Sequence, residues 1–404
     1  MNNWNKIIGG ALLIAGTTIG AGMLALPVVT APSGFYPTLG ICILSWIFML
    51  VSAVLILEAN LWFPERTNLL TMTRATLGKS GLIVALIFFA LLLYAVNSAY
   101  ITASSGLITS LIDSWSVQYT LIAILLTLVM GAIVYFGTIT IDYSNRVLMA
   151  ILIITYFLLI FAIAPHIESA HFAEVNPSHL PMTWIIVILS FAYQFIIPNI
   201  RGYIGSNSRH LIITIMIGSV IPLILYTVWT AAIAGSLPLE GEHGLLALRA
   251  NGEPVAGLSS SLLLELNLPW VSYAFNIFSL CALLTSILGV SWSMVGLWYD
   301  ITQTKNDNPR KHLLFVVLTF LPPLFFALFF QKGFEIALRY GGIFVVVLLG
   351  LLPALMVWSG RYKTGLAQAS QFKVWGGKYT LVIMIAISII LIVLECENLW
   401  GWVN

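Results

Sequence analysis

The sequence predicts an all-α polytopic membrane protein with about eleven transmembrane helices, built as a five-plus-five inverted repeat in which helices 1 and 6 are broken. Three observations carry that prediction. Sixty percent of the 404 residues are hydrophobic and 8% are charged. Apolar runs of ~20 residues, the length a helix needs to cross ~30 Å of hydrocarbon, recur along the whole chain. Two of those runs, the first and the sixth, are interrupted by residues that lipid tolerates only where protein or a cavity satisfies the loosened backbone. A transmembrane barrel would show short alternating segments, and a soluble domain could not hide this many apolar side chains.

The runs centre near Thr18, Phe48, Val96, Thr127, Thr155, Tyr193, Leu223, Leu284, Phe320, Val347 and Ala386. The first extends beyond Lys6 to about residue 29, carries internal glycines and leads directly into the next span. It reads as a transmembrane helix and not as a cleavable signal peptide. The formal charge of +2 conceals an asymmetry that sets orientation and is no signal for nucleic acid. With the N-terminus inside, only Arg249, Lys332 and Arg339 of the 17 Lys and Arg fall on the outer side; Arg66, Lys305 and the rest gather inside. The expected setting is a bacterial inner (cytoplasmic) membrane, with the C-terminus, including Glu395 and Glu397, periplasmic.

The longest excursion, about Pro238 to Leu268, is external and reads as a lid or surface loop within one transmembrane domain, residues 1–404. Cys42, Cys281 and Cys396 offer neither metal-ligand spacing nor a disulfide framework. His166, His171, His179 and His243 fall in external loops and His210 and His312 at cytoplasmic ends, where solvated residues are the better reading than a metal site. No cofactor is expected.

The first break is Thr17-Thr18-Ile19-Gly20-Ala21-Gly22-Met23. Gly20 and Gly22 lack Cβ and permit close approach, and amides opening the following half-helix suit a carboxylate. Carbonyls that end the preceding half-helix, near Ala15 to Thr18, carry the opposite partial charge and suit an ammonium group or a cation. A zwitterionic amino acid fits both poles. The competing reading is that the glycines only allow close helix packing. The second break runs from Ser190 to Pro198, where Pro198 suits the first turn of a new half-helix and Gln194 places a two-way amide near mid-membrane. Phe191, Tyr193 and Phe195 make either an aromatic wall or ordinary packing. The two breaks lie five spans apart, so the sixth span is inverted relative to the first. The approximate repeats are residues 6–164 and 183–358, with an additional helix at 378–396.

Other polar positions at similar depth are Tyr94, Asn97, Ser98 and Thr102 in span three and Asn276, Ser279 and Ser286 in span eight. Asn97 and Asn276 are the stronger candidates for the cavity. For ion coupling, Glu58 is the one acid embedded in an apolar run, either a proton carrier or a solvated interfacial carboxylate. Thr285 and Ser286, with first-helix carbonyls, form a rival oxygen-only site for sodium. Asp142 and Asp300 read as gate or orienting residues. Arg339 reads either as part of an outer gate or as the helical partner of Glu335, four residues before it.

The strings AGTTIGAGMLALP at Ala15 to Pro27, LLYAVNSAYI at Leu92 to Ile101 and LTFLPPLFFALFFQKGFEIAL at Leu318 to Leu338 give the chain its resemblance to a known family. Over nearly its whole length it resembles the hydroxy and aromatic amino acid permeases, most closely their tyrosine-specific branch, within the amino acid, polyamine and organocation transporter superfamily. The resemblance implies a LeuT-like fold with an eleventh helix and proton-coupled uptake of an amino acid. Where that branch typically reads SFGFHGSVPS in the sixth span, this chain reads SFAYQFIIPN from Ser190 to Asn199, with Gln194 at a histidine position and Phe195 at a glycine position. Those departures leave open tyrosine, another aromatic or a smaller neutral amino acid.

The expected function is thus import of an aromatic or other neutral amino acid by proton symport and alternating access. The alternatives are a sodium-coupled neutral amino acid symporter, a non-transporting sensor and a channel. An enzyme is not expected, because no histidine or aspartate sits mid-membrane to serve as a base. The expected partners are the amino acid, the coupling ion and the lipid bilayer.

Overall fold

The computed structural model describes residues 3–65, 67–112, 118–172, 180–251, 255–302, 308–331 and 333–403; Arg66, His179, Lys305 and Lys332 lie outside the described residues. The first span is split into α1 (Asn3–Thr18) and α2 (Ala21–Thr30), bent by 54° at the break. There follow α3 (Phe35–Leu61), α4 (Leu69–Leu111), α5 (Tyr119–Tyr135) and α6 (Thr138–Ile163). The sixth span is α7 (Leu180–Ser190) and α8 (Ile197–Ile204), separated by an unwound stretch and a 3₁₀ turn, Gln194–Ile196. The rest are α9 (Ser208–Ser236), short α10 (Leu245–Ala250) and α11 (Ala256–Leu266), then α12 (Pro269–Thr302), α13 (Pro309–Phe329), α14 (Phe334–Val345), α15 (Leu352–Tyr362) and α16 (Gly377–Val403).

Among the described residues, nine helices are long and apolar enough to cross a membrane, and the bent α1–α2 pair makes a tenth span. The remaining expected centre, Thr127, lies in α5, whose 17 residues extend ~25 Å, at the short end of what can span a bilayer. Ten of the eleven expected centres therefore fall in these spans, and the eleventh in the shorter apolar helix α5. The chain is an all-α polytopic membrane protein. The excursion between α9 and α12 is not a plain loop: it folds into α10 and α11, with α10 packed against α2.

Local sequence explains the main irregularities. Asn68, Asn207 and Asn308 cap α4, α9 and α13 by accepting main-chain N–H groups of the first turn. Gly78 adopts φ +74°, a conformation that favours glycine, and divides α4 into a short leading helix and the spanning segment. Pro353 has no N–H to give Leu349, four residues earlier; the backbone there widens into a π-helical stretch, Val346–Leu351, and Ser52 of α3 donates its hydroxyl to the freed Leu349 carbonyl. Likewise Pro322 frees the Leu318 carbonyl in α13, and Tyr94 Oη donates to it at 2.8 Å.

Buried charges tie the helix ends. Glu58, fully buried, takes both Arg361 Nε (2.7 Å) and Nη2 (2.5 Å) and the Val374 amide (2.7 Å), joining α3 to α15 and the segment after it. This corrects the reading of Glu58 as a solvated interfacial carboxylate. Arg201 of α8 donates to the Asn60 and Phe63 carbonyls at the end of α3. At the other end of the bundle, Arg339 Nε meets Glu395 Oε1 of α16 at 2.5 Å, both fully buried. Glu335 pairs with Arg249 of α10 at 2.9 Å, so the expected helical pair between Glu335 and Arg339 gives way to two inter-helix pairs.

Candidate functional site

The two breaks touch. A Cβ on Gly22 would stand 2.9 Å from Ser190 Oγ at the end of α7, and a Cβ on Gly20 would stand 2.5 Å from Ser286 Oγ of α12. Only glycine allows the first break to sit this close to both neighbours. Met23 N–H donates to the Gly20 carbonyl, closing the first turn of α2. The amides of Ala21 and Gly22 precede that bond and have no carbonyl within the helix to meet. At the negative ends of α1 and α7, the Thr18 and Ser190 carbonyls both accept from one hydroxyl, Tyr226 Oη of α9, at 2.6 and 3.0 Å.

A cavity of about 500 Å³ adjoins this junction, within the range of small-molecule sites. From the breaks it extends along the second half of α1 (Leu12, Leu13, Gly16), the first half of α6 (Asn145, Met149) and the second half of α12 (Gly289, Val290, Ser293). On the opposite side of the break, among Pro27, Thr30, Phe35, His171 and Leu245, about 20 Å³ remains, room for little more than one water. That side is covered by α10, held down by the Arg249–Glu335 pair. The larger space at the break therefore lies on the side lined by α1, α6 and α12.

The cavity brings together Thr17, Thr18, Gly20 and Gly22 of the first break, Phe195 of the second, and Thr285 and Ser286. Ala21, between the two glycines, opens α2. The hydroxyls of Thr17, Thr18, Thr285 and Ser286 all donate back to carbonyls of their own helices.

Other expected residues face elsewhere. The cavity face of α4 is Phe89, Leu92, Leu93, Val96 and Tyr100; Tyr94 is drawn to the proline-freed Leu318 carbonyl, Asn97 Nδ2 to Ser291 Oγ at 3.1 Å, and Ser98 to the Tyr94 carbonyl. Asn276 is buried and its Oδ1 has no partner among the described residues. Phe191 and Tyr193 are fully buried, with the Phe191 ring edge-on to Tyr226 at 5.2 Å. Gln194 is also fully buried, its Nε2 donating to the Met49 and Phe191 carbonyls at 3.0 and 3.1 Å. Pro198 stands in the first turn of α8, as its missing N–H requires.

The gate candidates separate as well. Asp142 forms an exposed helical pair with Arg146 at 2.8 Å, Asp300 is exposed at the end of α12, and Arg339 is buried against α16. Tyr100, Asn145 and Tyr226 are not among the residues expected from sequence. Tyr100 could have been found from its four-residue spacing after Val96; Tyr226 carries no local signal, being one tyrosine in an apolar helix.

The sequence profile of the tryptophan/tyrosine permease family matches residues 3–395. Among similar proteins, the tryptophan-specific transport protein of Haemophilus influenzae is 30% identical over 412 residues, covering 98% of this chain and 97% of its own. The tyrosine-specific transport system 1 of the same organism is 29% identical, covering 96% of each chain. The low affinity tryptophan permease of Escherichia coli K12 is 26% identical, covering 95% of this chain and 94% of its own.

Proposed function

The chain belongs to the tryptophan/tyrosine permease family, and from that premise we propose that it imports an aromatic amino acid across the bacterial inner membrane by proton symport and alternating access. The observation that carries this reading is the cavity that meets both breaks at once. The substrate carboxylate is held by the amides that open α2, and its ammonium group by the Thr18 and Ser190 carbonyls. The side chain lies against Phe195, Tyr100 and Val96. Relatives named for tyrosine and for tryptophan support an aromatic substrate. In the same reading, residues 6–164 and 183–358 are inverted repeats with an additional helix at 378–396, and the N-terminus is cytoplasmic. The cavity then faces the cytoplasm, and the Arg249–Glu335 pair closes the periplasmic side.

Sodium coupling is the second reading, favoured by one contact: Ser286 lies against Gly20, which gathers the Thr285 and Ser286 oxygens beside the first break. Glu58 acts in proton coupling only if its pair with Arg361 opens during the cycle. The test is uptake of radiolabelled tyrosine and tryptophan into proteoliposomes under an inward proton gradient, with phenylalanine and serine as competitors. Saturable uptake that an uncoupler abolishes and that survives replacement of sodium by choline is the expected result. Loss of uptake in choline at fixed pH would select the sodium reading. No uptake of any aromatic amino acid by folded, inserted protein would end the aromatic proposal.

A further inference from the structure

Tyr226 is fully buried in α9, behind the cavity wall. Its single hydroxyl proton lies between two carbonyls, Thr18 at 2.6 Å and Ser190 at 3.0 Å. Those carbonyls end α1 and α7, so each carries the negative partial charge of a helix C-terminus. Without a donor between them the two ends would repel and each would lack a partner in a low-dielectric interior. One O–H can satisfy only one acceptor fully at a time. The pair is thus held together and still short of a donor, and both Thr18 and Ser190 border the cavity.

We propose that Tyr226 is a positioning residue for the substrate's ammonium group: its hydroxyl pins the ends of both broken spans together from behind, and the ammonium supplies the missing donors from the cavity side. Tyr226 touches no reacting or transported atom; it sets the spacing of the two carbonyls that do. Its ring is fixed by the edge-on contact with Phe191, the first residue after α7. The α9 backbone is fixed in turn against α1, where a Cβ on Gly218 would stand 2.8 Å from the Ala11 carbonyl oxygen. The inference rests on the amino acid transport reading above.

The test compares wild type with Tyr226→Phe, which keeps the ring and removes only the hydroxyl. In proteoliposomes, KM for the transported aromatic amino acid should rise about three- to tenfold, the range expected for one hydrogen bond, with maximal rate within about twofold. Phe191→Leu, which loosens the ring contact but keeps the hydroxyl, should raise KM by less. A KM for folded Tyr226→Phe equal to wild type would overturn the proposal, as would an equal rise in both variants. A second measurement needs no variant: hydrogen exchange on the intact protein with saturating amino acid should slow at residues 19–24 and 191–197 together. Protection of one break alone would contradict a shared pin. Failure of the wild-type protein to transport any aromatic amino acid would instead remove the transport reading itself.

Discussion

The two breaks are built from different materials. The first bends its span by 54° around Gly20 and Gly22, and its freed main-chain groups border the cavity. The second unwinds its span between α7 and α8, and Gln194 hands its amide back to the Met49 and Phe191 carbonyls. A break that carries its own polar side chain repairs itself with it; a break made of glycine leaves its backbone for something else to satisfy. In this molecule the first break therefore contributes most of the polarity of the site, and the second contributes one carbonyl, that of Ser190, and shape through Phe195, Ala192 and Ile196.

The comparison breaks most sharply at Gly22. In Gly22→Ala the new Cβ meets Ser190 Oγ at 2.9 Å and Ser190 Cβ at 3.3 Å, so the junction must shift, and initial uptake rates should fall at least about tenfold. Gly16→Ala, six residues earlier, meets only Met149 Cε at 3.8 Å, and should stay within about twofold of wild type. Equal losses in the two variants would mean that the junction has no special role.

Next in size is Phe195. Phe195→Ala removes the largest second-break side chain on the cavity, and should raise KM for aromatic amino acids about tenfold while changing their rank order in competition assays. Gln194→Leu should do the reverse: rank order holds, while thermal unfolding shows a loss of ~1–3 kcal/mol because two buried carbonyls lose their donor. A change of substrate preference in Gln194→Leu would move the polar role to the second break. The smallest effect belongs to Asp142→Asn, whose exposed pair with Arg146 lies outside both breaks; stability should change by ~0.5 kcal/mol or less and uptake hardly at all.

What the sequence disclosed follows the same division. Span centres, the positions of both breaks and the place of Pro198 were legible because each depends on residues adjacent in the chain: apolar run length, glycine spacing, a missing N–H. The orientation of polar side chains was not. Tyr94 reads as a cavity residue until Pro322, more than two hundred positions later, frees the carbonyl that claims it. Glu58 finds Arg361 and the Val374 amide, and Glu335 and Arg339 exchange each other for Arg249 and Glu395. Each of these choices is made by long-range packing, where a buried polar group takes the nearest donor or acceptor regardless of separation along the chain. Tyr226 belongs to the same class, since its partners become neighbours only when α1 and α7 end side by side.

The central claim is that the main chain of the first break holds the amino acid's own backbone. Its most direct test is an experimental structure with the transported amino acid bound. The carboxylate is expected within hydrogen-bonding distance of the Ala21 and Gly22 amides, the ammonium group at the Thr18 and Ser190 carbonyls, and the side chain against Phe195. An amino acid lodged elsewhere in the 500 Å³ cavity, with those amides and carbonyls untouched, would contradict it.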